Sequence, residues 1–246
     1  MEKRIDYLVN WLKEEVNQSG AKGALVGISG GIDSAVVAYL IKRAFPENSF
    51  GVILPINQRV EDQKDAVAVA EDSGIHYVGI ELTETFQTAV KAMQEKINDE
   101  WNDENDRMVK ANFQARLRMS TMYAVAQNYD YLVIGTGNQP ETYTGYFTKY
   151  GDGGADLQPL LNLSKQEVRE MATELGVTDQ VINKPPSAEL WEGQTDEDEL
   201  GVSYDTIDAY IRGEKVDPED EKRIKQLHKG SAHKRSIAPG PDEFKG

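Results

Sequence analysis

The run Gly27-Ile28-Ser29-Gly30-Gly31-Ile32-Asp33-Ser34 brings two adjacent glycines, two serines and a carboxylate into one short stretch. It follows the apolar run Ala24 to Ile28 and opens a second apolar stretch from Asp33 to Phe45. That context reads as a turn between a buried strand and a helix. Glycines let backbone N–H groups close in on an anion, the helix N-terminus adds partial positive charge, and serine hydroxyls add donors. The chemistry is therefore a phosphate cradle, with Asp33 suited to hold Mg²⁺ against the phosphate charge. No Lys-Ser or Lys-Thr pair follows the glycines, so this is not the Walker A pattern. A bare Gly-Gly would fit a plain strand-to-helix turn; the serines and Asp33 favour the cradle.

A second group of residues lies downstream. Gly135-Thr136-Gly137-Asn138, with Glu141, closes another apolar run. Read alone, Glu141 fits a helix-start carboxylate as well as a second metal ligand beside Asp33. Lys149, Asp152 and Asp156 sit in a Gly-rich stretch from Gly145 to Gly154 and just beyond it, where charged residues are usually solvated. Arg116 lies off the apolar stripe of its helix, so a surface ion pair is its plain alternative. His233-Lys234-Arg235 is the densest basic cluster of an acidic chain. It fits a basic tail or, more sharply, a pocket wall for an anionic substrate.

The elements that must position these residues follow from periodicity. Ile5, Leu8, Leu12 and Val16 mark a first helix, broken at Ser19-Gly20 and Gly23. Strands are expected at Ala24 to Ile28, Phe50 to Leu54, His76 to Ile80 and Tyr131 to Gly135. Helices are expected at Asp33 to Phe45, Val60 to Ala70, Thr83 to Ile97 and along the stripe Met108, Ala111, Ala115, Met119, Met122, Ala126. Short apolar strands separated by helices predict an α/β fold, a Rossmann-like parallel sheet covered by helices on both faces. Beyond residue 136 the pattern predicts a loop at Gly145 to Gly154 and a helix from Lys165 to Leu175 capped by Ser164. Glu189 to Leu200 reads as a mobile acidic loop. Two short helices, about Tyr204 to Ile211 and Pro218 to Lys229, and an irregular tail complete the chain. One domain over residues 1–246 is expected.

Composition narrows the classes. The chain of 246 residues is 39% hydrophobic and carries 27 basic against 42 acidic residues, a net charge of −15. That balance opposes a nucleic-acid binder, which relies on basic surface. No cysteine is present, which removes disulfides, thiolate metal sites and a thiol nucleophile, and three histidines make a His-based metal site a poor expectation. No apolar run reaches the roughly 20 residues of a membrane span, and Met1 to Asp6 lacks a signal-peptide character. The expected location is the cytoplasm.

Ser29 to Ser34 resembles the pyrophosphate-binding loop of the N-type ATP pyrophosphatases, which cleave ATP between the α and β phosphates and adenylate a substrate oxygen. The loop does not choose among the members of that superfamily. Phe147 to Asp156, Leu160, Lys165, Lys184 to Leu190, Gly193 to Glu197, Glu199-Leu200-Gly201 and His233-Lys234-Arg235 follow in order. Together these are similar to the NAD synthetases, from about residue 24 to 236.

The resemblance implies a function and a site. Deamido-NAD would be amidated by ammonia through an NAD-adenylate, with ATP as co-substrate and Mg²⁺ as cofactor. Gly27, Ile28, Ser29, Gly30, Gly31, Ile32, Asp33 and Ser34 would grip the ATP phosphates. Thr136, Lys165 and Ser187 match ATP-contacting positions, with Ser187 in place of a commoner Thr. Asp33 and Glu141 would bind Mg²⁺. Arg116, Lys149, Asp156, His233 and Lys234 match positions that contact deamido-NAD. Asp33, Lys149 and Lys165 carry the catalytic expectation, because adenylation needs positioning and cations rather than a protein nucleophile. The resemblance also implies a homodimer. A start of the motif at residue 27 and the lack of cysteine lead to the expectation of free ammonia as nitrogen donor, without a glutaminase domain. Glu189 to Gly201 is expected to act as a lid over the substrate.

Overall fold

The computed structural model describes residues 1–58, 60–186 and 195–243. Its elements run in the order α1 (Glu2–Ser19), β1 (Gly23–Gly27), α2 (Ile32–Ala44), β2 (Ser49–Ile53), α3 (Val60–Ser73), β3 (His76–Gly79), α4 (Thr83–Ile97), α5 (Asp106–Tyr129) and β4 (Tyr131–Ile134). Short helices follow: α6 (Gln139–Thr144), α7 (Lys165–Leu175), α8 (Asp179–Ile182), α9 (Asp196–Leu200), α10 (Tyr204–Ile211) and α11 (Pro218–Gly230). A 3₁₀ turn at Ala232–Lys234 comes last.

The four strands form one parallel sheet in the order β3-β2-β1-β4. Alternate side chains of a strand face opposite ways, and here each face is roofed by helices. Ala24 and Val26 point into a core shared with α1, α2, α3 and α7, including Ile5, Leu12, Val36, Leu40 and Met171. Leu25, Phe50, Val52 and Val133 point into the opposite core with Phe86 and Val90 of α4 and Ala126 of α5. The fold expected from the apolar pattern is thus the fold found. His76–Gly79 is one of the two edge strands, and its side chains are less buried than those of the inner strands for that reason.

A smaller third core joins α6 to the C-terminal helices. Leu200, Val202, Tyr204, Ile207 and Ile224 pack there with Tyr143 and Tyr146. The acidic loop expected over Glu189 to Leu200 needs correction at its end. Asp196–Leu200 is the helix α9, with Thr195 as N-cap accepting from the Asp198 N–H and Gly201 as a left-handed C-cap. A capped turn with Leu200 buried in that third core outweighs the acidic composition. Residues 187–194 lie outside the described residues, so the lid expectation bears on the described chain only from Thr195 to Gly201.

Candidate active site

From β1 the chain proceeds through α2 to β2 on one side, while β4 lies on the other side of β1. In an open parallel sheet, this reversal leaves a crevice outside the carboxyl ends of β1 and β4. A cleft of about 440 Å³ opens there. Gly27, Ile28, Ser29, Gly31, Ile32, Asp33 and Ser34 line it from β1, Thr136 and Glu141 from beyond β4, and Lys165 from α7.

The turn after β1 is held by its own hydroxyls. Ser34 Oγ accepts from the Ser29 N–H at 3.2 Å and donates to the Gly31 carbonyl at 2.9 Å, while Ser29 Oγ accepts from the Gly31 N–H at 3.2 Å. Gly31 is the N-cap of α2 and no side chain caps that helix end. Its first N–H groups are therefore donors suited to an anion. Gly30 has φ +87°, and a Cβ there would lie 2.8 Å from Asp65 Cβ and 2.9 Å from the Ala66 nitrogen. It is a close-packing glycine against α3 and is not among the cleft-lining residues.

Opposite this turn sits a charged centre. Lys165 Nζ lies 2.6 Å from Asp33 Oδ2 and 3.3 Å from Glu141 Oε1. Lys165 is buried because it is the first residue of α7, which is fixed by a reciprocal Ser164–Glu167 capping box and by Asp208, whose carboxylate accepts the Lys165 N–H at 2.9 Å. Burial alone would lower the Lys165 ammonium, but the Asp33 and Glu141 carboxylates raise it overall. Glu141 is pushed up to about 7 by burial, with Lys165 opposing and Asp33 adding to the rise. Asn138, N-cap of α6, links the two carboxylates: its Nδ2 donates to Asp33 Oδ1 at 2.9 Å and its backbone N–H donates to Glu141 Oε2 at 3.1 Å, while its Oδ1 accepts from the Glu141 N–H at 3.1 Å.

The third core reaches this centre through Tyr204. Its hydroxyl contacts Asp196 Oδ2 at 3.0 Å and Glu141 Oε1 at 3.4 Å, and its ring centroid lies 4.9 Å from Lys165 Nζ. Burial raises the Asp196 carboxyl, and its Oδ1 is buried without a hydrogen-bond partner.

The remaining expected residues gather around the loop after α6. Arg116 donates from Nε and Nη2 to the Lys149 carbonyl at 3.3 Å, and Lys149 Nζ donates to the His233 carbonyl. Lys234 Nζ donates to the carbonyls of Gly145 at 2.8 Å and Phe147 at 2.6 Å, and it lines the cleft. Burial lowers the Lys234 ammonium. Asp156 is bound to the sheet: Oδ2 accepts from the Val133 N–H at 2.8 Å and Oδ1 from the Tyr123 hydroxyl at 3.0 Å. Arg116, Lys149, Asp156 and His233 are not among the cleft-lining residues, whereas Asp152 is. Asp152 stays exposed at the cleft edge; desolvation by the surrounding chain raises its carboxyl, and it accepts from the Thr148 N–H. Ser187 lies outside the described residues.

Residues 4–238 match the family model described as NAD synthase. The chain belongs to the NAD synthase family. An NH3-dependent NAD+ synthetase of Alkaliphilus oremlandii (strain OhILAs) is 52% identical, over 98% of this chain and 97% of that protein. The structure of the NMN synthetase from Francisella tularensis superposes with a TM-score of 0.92 at 40% identity, covering 98% of each chain. The NH3-dependent NAD synthetase of Campylobacter jejuni superposes with a TM-score of 0.79 at 29% identity, again over 98% of each chain.

Within this NAD synthase framework, sequence reading assigned no role to Asn138, Tyr204 or Asp196. A local signal marks the first: Asn138-x-x-Glu141 with Pro140 between them is a capping box at the start of a helix. Tyr204 and Asp196 carry no such signal, because only the packing of α9 and α10 brings them to Glu141.

Proposed function

We propose that the chain is an ammonia-dependent NAD synthetase, which amidates the nicotinate carboxylate of deamido-NAD at the cost of ATP. The observation that carries this reading is the Asp33–Lys165–Glu141 centre at the carboxyl ends of β1 and β4, in a chain of this family. The nicotinate oxygen attacks the ATP α-phosphorus and pyrophosphate leaves. Ammonia then adds to the acyl carbon, the added nitrogen loses a proton to solvent, and the acyl carbon–oxygen bond to AMP breaks, releasing AMP and the amide. The turn Gly27 to Ser34 binds phosphate oxygens through backbone N–H groups and hydroxyls. Lys165 holds positive charge beside the phosphate that reacts, where charge stabilisation contributes most to rate. Thr136 and Ser187 are read as further ATP contacts.

Asp33 and Glu141 fit Mg²⁺. Their oxygens already face one positive charge, the Lys165 ammonium. No group of three or more His, Cys, Asp and Glu able to hold a metal is found among the described residues. Two carboxylates completed by substrate phosphates are the usual Mg²⁺ donor set. When bound, the ion neutralises phosphate charge and orients the leaving pyrophosphate.

The deamido-NAD site is read at Arg116, Lys149, Asp156, His233 and Lys234. The mutual contacts of Arg116, Lys149 and the Ala232–Lys234 turn support a single cluster, with Lys234 on the cleft wall. Lys149 and Lys234 are read as candidates for charge stabilisation. A homodimer is proposed on the exposed Met108 and Val109 of α5, and sedimentation as a monomer at micromolar concentration would count against it. No helix among the described residues is long and apolar enough to cross a membrane, in keeping with a cytoplasmic enzyme.

The test is turnover of deamido-NAD with ATP, Mg²⁺ and ammonium. NAD with matching AMP and pyrophosphate, stopped by a chelator, is the expected outcome. Glutamine with ammonia removed should give none. Nicotinate mononucleotide belongs in the same assay, given the NMN synthetase neighbour. Turnover of the mononucleotide alone would move the substrate assignment.

A further inference from the structure

Asn138 is fully buried between the two carboxylates of the centre. Each carboxylate presents two oxygens, and the structure divides them. Asp33 Oδ1 accepts from Asn138 Nδ2 at 2.9 Å and Glu141 Oε2 accepts from the Asn138 backbone N–H at 3.1 Å. The other two, Asp33 Oδ2 and Glu141 Oε1, face Lys165. Asn138 Oδ1 is engaged by the Glu141 N–H at 3.1 Å. One residue thus holds one oxygen of each carboxylate and leaves the other oxygen of each toward Lys165.

Capping α6 does not by itself require asparagine. Asp, Ser and Thr accept from a helix N–H equally well. What the amide adds is a donor on the same planar group, aimed at a carboxylate that comes from a different part of the fold. A carboxylate held by one oxygen loses its freedom to swing. We propose that Asn138 is a positioning residue that sets the spacing and orientation of Asp33 and Glu141 toward a divalent cation and the ATP phosphates. The inference rests on the reading of those two carboxylates as cation ligands.

The test separates the cap from the link to Asp33. Asn138→Ser keeps an acceptor for the Glu141 N–H but is too short to reach Asp33. Asn138→Asp keeps size and cap but replaces the donor with a carboxylate against Asp33. Mn²⁺ binding to the protein with α,β-methylene ATP is read by electron paramagnetic resonance, beside thermal melting and the kcat and KM of pyrophosphate release. Loss of a hydrogen bond to a charged group lowers Mn²⁺ affinity and kcat about tenfold in Asn138→Ser. The fall is larger in Asn138→Asp. KM for deamido-NAD is unchanged, Asn138→Ser melts near the wild type, and Asn138→Asp melts earlier because it buries a third carboxylate beside Asp33. If the serine variant melts early because of the space it leaves, its Mn²⁺ affinity is read well below its melting temperature, where it is folded. Wild-type Mn²⁺ affinity and kcat in either folded variant overturn the proposal. No Mn²⁺ bound by the wild type itself overturns the carboxylate reading beneath it.

Discussion

Lys165 Nζ lies 2.6 Å from Asp33 Oδ2, across 132 residues of chain. The pair joins the turn after the first strand to the first residue of α7, and Glu141 completes it from α6. Three separately folded segments therefore meet at one buried ammonium group. Lys165→Met removes the only positive member of this trio and leaves two facing carboxylates. The expected cost is about 3 kcal/mol of stability, read from urea unfolding. Millimolar Mg²⁺ should recover part of it, and NAD formation should fall about 10³-fold. An unchanged unfolding midpoint would mean that the ammonium adds nothing to the fold.

Gly30 occupies the left-handed region with α3 against its α-carbon. Gly30→Ala must either strain the backbone or push Asp65 and Ala66 away. A loss of about 1–3 kcal/mol follows, together with a several-fold higher KM for ATP as the cradle deforms. Calorimetric melting and initial rates measure the two effects. A variant that melts and turns over like the wild type would show that the turn relaxes without penalty.

Gly145 ends α6 at φ +71°, and a Cβ there would come within 2.1 Å of Ser231 Cβ. Ser231 Oγ donates to the Thr144 carbonyl, and Arg235 donates to the Tyr143 carbonyl and Ser231 Oγ. Gly145→Ala should therefore detach the segment after α11 from α6. Limited proteolysis is expected to cut near residues 231–235 faster in the variant, with lower kcat. Equal cleavage rates would contradict this account.

Glu167 gives the pH dependence. Burial raises its carboxyl, but Arg4 and the Ser164 N–H outweigh burial and hold it below its ordinary value of 4.5. A folded-state value below the unfolded one favours the folded state above the unfolded pKa, and this contribution disappears as pH falls through the folded value. Glu167→Gln should therefore lose up to about 1 kcal/mol at pH 7, because the ion pair with Arg4 is partly exposed. Urea unfolding of variant and wild type should converge near pH 3, a value estimated from ordinary carboxylate titration. A difference that persists there would place the effect in the cap rather than in the charge.

Much of this architecture is legible from apolar spacing. Short apolar runs locate the four strands, and the stripe from Met108 to Ala126 locates α5, since burial on a two-sided sheet leaves a long signal. The turn Gly27 to Ser34 is legible because few other reasons place serine, paired glycine and aspartate after a buried strand. Short helices are another matter. α6 and α9 hold too few residues for periodicity and are decided by Asn138 and Thr195 at their caps. The Tyr204–Asp196 contact needs α9 and α10 packed beside Glu141, which no local pattern encodes. Asp156 illustrates a different gap: its type and loop setting suggest a solvated carboxylate, and its bonds to the Val133 N–H and the Tyr123 hydroxyl are long-range contacts that no local pattern encodes.

The bonds from Ser231, Lys234 and Arg235 to α6 and its following loop have a temporal consequence. A ribosome delivers the chain from its N-terminus, and N-terminal parts fold first during synthesis. All four paired strands are available once Ile134 has emerged. The Lys234 ammonium that holds the Gly145 and Phe147 carbonyls comes a hundred residues later. A nascent chain can thus hold all four strands while the cleft wall at Gly145 to Phe147 is still unfastened, so pairing of the sheet precedes completion of the cleft.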